Sequence, residues 1–295
     1  APHDCYGGSY RLFKTLNDKG LFDVRFVDQG NPSSLAEALT SNPKLIWIET
    51  PSNPLLRVVD ISQICSEVGE EVIKVVDNTF LSPILQQPLS LGADIVVHST
   101  TKYINGHSDV VGGAVIAKCK VVHEDLAWWA NCTGITGSPF DSFITTRGLR
   151  TLSVRMKQHE ENASAVVESL NKHPAVEQVF YPGLETHATH RIAAQQQTGF
   201  GAMFSFTLNQ DEICQKTFVK HLQLFTLAES LGGVESLICH PATMTHAALS
   251  PDALENAGIG SNLFRLSVGI EDAQDLINDL NTALSRSTLK ALKAS

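Results

Sequence analysis

Long apolar runs, basic stretches and paired cysteines are all missing from this chain, and each absence removes a class of function. No apolar stretch approaches the roughly 20 residues that a helix needs to cross a bilayer, so no membrane partner is expected. Lys and Arg number 22 against 31 Asp and Glu, a net charge of -9. With no long basic run, nucleic acid is not expected as a partner either. Cys5, Cys65, Cys119, Cys132, Cys214 and Cys239 stand singly with no CxxC pair, which excludes a disulfide scaffold and points to a reducing, cytoplasmic setting. His187, His190, His240 and His246 lack the cysteine or carboxylate pattern that would close a metal site, so no metal is expected. Gly112-Gly113 is too short for a dinucleotide fingerprint. Residue 1 is Ala, and Ala1 to Asp4 leads straight into a glycine turn with nothing like a signal peptide.

What is present is an ordinary globular composition, 295 residues of which 43% are hydrophobic, enough for one large domain or two moderate ones. Its first half repeats one pattern, a short apolar strand that stops in polar residues. Leu45–Ile48 runs into Glu49-Thr50-Pro51-Ser52-Asn53-Pro54, Ile73–Val76 into Asp77-Asn78-Thr79, and Ile95–Val97 into Ser99-Thr100-Thr101-Lys102. Phe22–Val27 and Val110–Ala117 read as further strands, and helices are expected near 11–20, 31–41 and 59–68. Continuously apolar strands separated by helices or loops predict an α/β fold with a mostly parallel, doubly wound sheet. Past Trp128 the pattern changes. Long helical material fills 140–170, strands are expected at 176–181, 202–208 and 264–270, and helices at 211–222 and 271–285. This is a smaller α+β unit, so the division expected is 1–157 and 158–295.

In an open α/β sheet, ligands sit at the carboxyl ends of the strands. A lone lysine there is ordinarily a solvated loop residue. Lys102, however, shares its edge with Asp77 and with the hydroxyls of Ser99 and Thr101. An aldehyde cofactor held as a Schiff base needs a lysine, an anion site for its phosphate and a carboxylate facing its ring nitrogen. Ser99 and Thr101 fall on one side of an extended segment, as a shared phosphate would require. Asp77 follows the apolar run IKVV and would be buried unless a cation faced it.

The blocks YGGSYRLF, ETPSNP, VVDNTF, HSTTKYINGHSDVVGG, HATHRIAAQQQTGFGAMFSF and ESLGGVESL resemble the pyridoxal-phosphate enzymes of cysteine and methionine metabolism. The resemblance covers essentially the whole chain. It implies the aspartate-aminotransferase-like fold type I, pyridoxal 5'-phosphate as cofactor, and a homotetramer built as a dimer of dimers with catalysis at the dimer interface. It further implies Lys102 as the Schiff-base lysine, Asp77 as partner of the pyridine nitrogen, Ser99 and Thr101 at the phosphate, and Tyr6 stacked on the ring and aiding proton traffic. Asn53 is implied near the cofactor hydroxyl and the substrate carboxylate, and Arg265 at the α-carboxylate. Ser230 would orient both lysine and carboxylate, and Glu229 would tune recognition of the distal end of the substrate.

The stretch AWWANCTGITGSPFDSFITTRGLRTL resembles the branch of the family that joins an O-acylhomoserine, with the succinyl ester expected, to cysteine. The implied reaction is γ-replacement on a small amino-acid substrate, giving L-cystathionine for methionine biosynthesis and trans-sulfuration. The rival is a C–S lyase of the same family acting on cystathionine or methionine, since the same residues serve both. A non-catalytic scaffold on this fold is a third reading. The family carries an upstream segment with a glycine-containing phosphate loop, a tyrosine and an arginine. None of these precedes Ala1, so the remaining phosphate contacts are expected from outside the sequence.

Overall fold

The computed structural model describes residues 1–245, 254 and 257–290. The first sheet holds β1 (Leu45–Glu49), β2 (Ile73–Asp77), β3 (Ile95–Ser99) and β4 (Gly113–Ala117), in that spatial order. β1, β2 and β3 run parallel, because helical crossovers separate them: α3 (Ile61–Glu67) after β1, and α4 (Ser82–Leu85) with a 3-10 turn at Pro88–Leu91 after β2. β4 pairs antiparallel with β3, since no helix lies between them to return the chain, and so departs from the parallel pattern expected. Leu35 of α2 (Pro32–Leu39) joins Ile46, Ile48, Ile61, Ile64 and Val76 in one core beside this sheet. α2 starts at Asn31, whose side chain accepts from Ser33 N and Ser34 N, and α3 starts at Asp60, which accepts from Gln63 N.

Phe22–Val27, expected as a strand, is not one. Val27 donates to Ala1 O and accepts from His3 N around Pro2, and the proline, having no N–H, leaves no ladder to extend. The helical material expected over 140–170 is broken at Arg150-Thr151 into α6 (Pro139–Leu149) and α7 (Leu152–Asn171). α1 (Gly7–Asp18) follows the first glycine turn, and α5 (Lys120–Thr133) fills a stretch for which no helix was anticipated.

The second sheet has the order β5-β6-β9-β8-β7, with β5 Val176–Phe180, β6 Met203–Leu208, β7 Thr226–Leu227, β8 Leu237–Cys239 and β9 Leu263–Ser267. α8 (His190–Gln196) and α9 (Gln215–His221) lie between its strands in sequence. α7, α9 and α10 (Ala273–Arg286) bury Val166, Leu170, Phe218 and Leu280 against Phe204, Phe206 and Phe264 of β6 and β9. A third core joins the two sheets. In it Leu152 and Met156 of α7 meet Leu81, Tyr103, Met203 and Leu231.

Two buried histidines tie stability to pH. His98 on β3 is 5% exposed, and His159 on α7 is fully buried with its Nδ1 2.7 Å from Val268 O. Burial lowers each pKa to about 4 from 6.5. The unfolded chain therefore binds more protons than the native one between those values. The stability from keeping each ring neutral is complete above pH 6.5 and lost as pH falls toward 4, about 3 kcal/mol per histidine over the window. Urea midpoints followed by circular dichroism should fall from pH 7 to pH 5, with a shallower fall in His159→Gln.

Candidate active site

β1 and β2 stop in register at Glu49 and Asp77, and β3 stops at Ser99, so the polar ends expected to converge do so on one edge of the sheet. Beyond Ser99 the chain turns tightly: Lys102 N donates to Ser99 O at 3.2 Å and Gly106 N to Lys102 O at 2.8 Å. Gly106 has φ +76°, and a Cβ there would collide with the Arg155 guanidinium. Arg155, buried on α7, donates to Tyr103 O at 2.7 Å, Ile104 O at 3.3 Å and Gly148 O at 2.9 Å, and so clamps the turn that carries the lysine.

The Lys102 side chain leaves that turn toward the second sheet, where its Nζ donates to Ser230 Oγ at 3.1 Å. The turn bearing Ser230 packs close because Gly232, at φ +74°, has no side chain; a Cβ would stand 2.8 Å from Tyr103 N. Burial, and then the neighbouring Arg265 charge, push the lysine pKa below its ordinary value. The amine is thus biased toward its neutral, nucleophilic form.

Arg265 on β9 is 2% exposed. Its Nη1 donates to Asn53 Oδ1 at 3.0 Å, and its Nη2 to Glu229 O at 2.9 Å and Ser230 O at 3.1 Å. Nε has no partner, and no carboxylate pairs with this guanidinium among the described residues. A buried guanidinium held only by neutral oxygens is electrostatically incomplete. A carboxylate is the group whose paired oxygens match its fork.

Across the edge, Asp77 Oδ1 accepts from Thr79 N at 3.0 Å and Thr79 Oγ1 at 2.6 Å, and that hydroxyl in turn accepts from Ser99 N at 2.9 Å. Thr79 thereby locks the end of β2 to the end of β3. Burial raises the Asp77 pKa, against the pull of the Thr79 bonds. A ring-nitrogen cation is the partner that would hold it ionised. The hydroxyls of Ser99 and Thr101 are half-buried beside the lysine turn. Thr101 Oγ1 already accepts from Gly112 N at 3.0 Å, while Ser99 Oγ makes no bond among the described residues. Tyr6 is 55% exposed at the start of α1, its ring covering the space a Cβ on Gly8 would need. Glu229 hydrogen-bonds Arg265 through its backbone oxygen, and its carboxylate, on an exposed residue, acts on the guanidinium by charge without forming an ion pair.

The structure therefore joins Lys102, Ser230, Arg265, Asn53 and the Glu229 backbone in one hydrogen-bonded group. Asp77 and Ser99 stand on the adjoining strand ends. Sequence reasoning did not single out Glu49, Thr79 or Arg155. Glu49 and Thr79 carried a readable signal, since each flanks a strand end already taken as polar; Arg155 carried none, being one charge in a long helix. Of the four histidines considered above, His246 lies outside the described residues, and among the described residues no cluster of His, Cys, Asp and Glu could hold a metal.

A profile described as Cys/Met metabolism PLP-dependent enzyme matches residues 1–285. The chain belongs to this family. It is 59% identical over 283 residues to the cystathionine gamma-synthase of Escherichia coli K12, spanning 95% of this chain and 73% of that protein. A crystal structure of cystathionine gamma synthase from Xanthomonas oryzae pv. oryzae, in complex with aminoacrylate and cysteine, is 59% identical with TM-score 0.93, covering 97% of this chain and 74% of that one. Cystathionine gamma-lyase from Lactobacillus plantarum, complexed with L-serine, also gives TM-score 0.93, at 41% identity over 96% of this chain and 74% of that one.

Membership establishes a pyridoxal-phosphate-dependent enzyme of fold type I, related to the aspartate-aminotransferase-like architecture expected above. The residues present fit the cofactor: a half-buried amine pushed toward neutrality at Lys102, a half-buried carboxylate with no cation paired to it among the described residues at Asp77, and a free hydroxyl at Ser99. No helix among the described residues is long and apolar enough to cross a membrane.

Proposed function

We propose that this enzyme joins an O-acylhomoserine, preferentially the succinyl ester, to L-cysteine by γ-replacement, forming L-cystathionine. The observation that carries the reading is the single hydrogen-bonded group linking a proton-accepting amine to an unpaired buried guanidinium: Lys102, Ser230 and Arg265. It is the arrangement for holding an amino acid by its carboxylate while a proton leaves the neighbouring carbon. The choice of γ-replacement within the family follows the synthases at 59% identity.

Pyridoxal phosphate supplies, when bound, the electron sink that makes the α- and β-protons of an amino acid removable. Lys102 would hold the cofactor and, with its amine free, would be the base that moves protons among the carbons of the substrate. Ser230 Oγ keeps that amine in place. Arg265 and Asn53 bind the α-carboxylate and so fix which C–H bond faces Lys102. Asp77 sustains the charge on the ring nitrogen, with Thr79 preventing it from turning away. Ser99 would donate to the phosphate, Thr101 would do so by giving up its donation to Gly112 O, and Tyr6 would stack on the ring and assist proton traffic. Glu229 stands at the rim for the distal end of the substrate. Transfer of the β-proton to Lys102 would let the acyl carboxylate leave the γ-carbon with its electron pair; the cysteine thiolate would then add to the γ-carbon while Lys102 returns a proton to the β-carbon.

A homotetramer of paired dimers is supported by large apolar side chains left exposed on α5 and α6, among them Trp128, Trp129, Phe140 and Phe143 at 55–70%. A cytoplasmic location agrees with six free cysteines. The two sheets suit a cofactor-binding unit over 1–157 and a smaller unit over 158–295.

The purified protein incubated with O-succinylhomoserine and cysteine is expected to yield cystathionine, with little 2-oxobutyrate from cystathionine alone. The γ-lyase at 41% identity makes the opposite outcome the second reading. Release of 2-oxobutyrate and cysteine from cystathionine, with no synthesis in the first tube, would establish it.

A further inference from the structure

Glu49 takes no part in the mechanism above, yet it lies at its centre. It closes β1 in direct register with Asp77 on β2, and side chains at paired positions of parallel strands rise on the same face. It is 8% exposed, and its Oε2 accepts the backbone N–H of Tyr6 at 2.8 Å. No Lys or Arg pairs with it among the described residues. The titratable groups that face it are all acidic, Asp77 from β2 and Asp4 and the Cys5 thiol from the segment before α1, and Tyr6, the residue that caps α1, presents its amide.

A buried carboxyl at Glu49 beside a half-buried one at Asp77, with no Lys or Arg paired to either among the described residues, disfavours ionisation of both. The bonding decides which one carries the proton. Asp77 accepts both a hydroxyl and an amide from Thr79, and the ring nitrogen of a bound cofactor would add a positive partner, whereas Glu49 has one amide. Burial and the Asp77 charge act together to raise the Glu49 pKa well above its usual value.

We infer that Glu49 is a positioning residue that works as a neutral carboxylic acid: it anchors the Tyr6 backbone, and with it the Tyr6 ring, and leaves Asp77 the one ionised carboxyl on this edge of the sheet. The inference rests on the cofactor reading given above and adds to it the residue that couples the ring-stacking tyrosine to the strand end facing the ring nitrogen. Ordinary peptide geometry does not require an acid here. Any buried acceptor would satisfy the Tyr6 amide, and that makes the charge state testable.

The test compares the holoenzyme with Glu49→Gln and Glu49→Ala. Glutamine keeps the shape, the neutrality and an acceptor oxygen for Tyr6. Glu49→Gln is expected to hold the cofactor, with its absorption band unshifted and KM within about twofold of the parent. Its infrared difference spectrum against the parent at neutral pH should show the loss of one protonated-carboxyl stretch. Glu49→Ala is expected to lose cofactor about tenfold faster and to raise KM by a similar factor, the loss of one buried hydrogen bond and its packing. The inference is overturned if Glu49→Gln is as impaired as Glu49→Ala, if no protonated-acid band disappears, or if Glu49→Ala matches the parent. Thermal melts check that each variant is folded, and the infrared comparison needs only the folded Glu49→Gln protein. Should the parent make no cystathionine, the reaction proposed above fails, while the infrared and cofactor-release arms still judge Glu49.

Discussion

Lys102→Ala is expected to lower kcat by about a thousandfold or more while leaving the fold intact, because it removes the residue proposed as both covalent tether and proton carrier. The structure makes this a test of chemistry rather than of packing. Lys102 is half-buried, its Nζ makes one bond, to Ser230 Oγ, and the turn that carries it is held by Arg155 through backbone oxygens that the substitution leaves untouched. Thermal melting should therefore change little. Borohydride reduction of the parent should fix the cofactor on a peptide containing Lys102, and the same treatment of Lys102→Ala should fix none. Turnover of Lys102→Ala within about tenfold of the parent would remove this residue from the mechanism.

Arg265→Leu should raise KM for the amino-acid substrate by about a hundredfold, with a smaller fall in kcat, since a bidentate carboxylate contact made in the ground state is lost. Arg265→Lys should recover little of it. An ammonium offers no fork, and it cannot reach Asn53 Oδ1, Glu229 O and Ser230 O together, as the guanidinium does. Those oxygens, left unpaired in a site where Arg265 is 2% exposed, also cost stability, about 1–3 kcal/mol for each one not reached by water. A lower melting temperature should thus accompany the higher KM. Initial rates over a range of substrate concentration, measured well below the melting temperature of the variant, separate the two effects. An unchanged KM would show that the α-carboxylate binds elsewhere.

The fold was legible where periodicity and chain chemistry agree. β1, β2 and β3 are short β-branched runs that end in polar residues, and the helix capped by Asp272 has a strong apolar face closing on Leu276, Leu280 and Leu284. It was not legible where an element is set by its neighbours. β7 and β8 have two and three residues, too few to display a period; β8 exists as a strand because β9 offers an edge, and β7 because β8 in turn offers one. Phe22–Val27 alternates as a strand should and fails to be one, since among the described residues its one β-bridge is to Pro2. The antiparallel sense of β4 likewise depends on a loop that returns without a helix.

The sequence by itself determined the family of this protein, pyridoxal-phosphate enzymes matched along residues 1–285, and placed a lysine, an aspartate and hydroxyls at the ends of apolar strands. Side-chain type and strand ending are local properties, and a linear pattern carries them. Only the tertiary structure decided how those groups act on one another. It put Arg265 beside Asn53, 212 positions away in the chain, and Ser230 beside Lys102, 128 positions away. It also set Glu49 next to Asp77. The reason is physical. A pKa or the hunger of a buried guanidinium for a carboxylate depends on burial and on distances of a few ångströms through a low-dielectric interior, and these exist only once the two sheets have packed against each other.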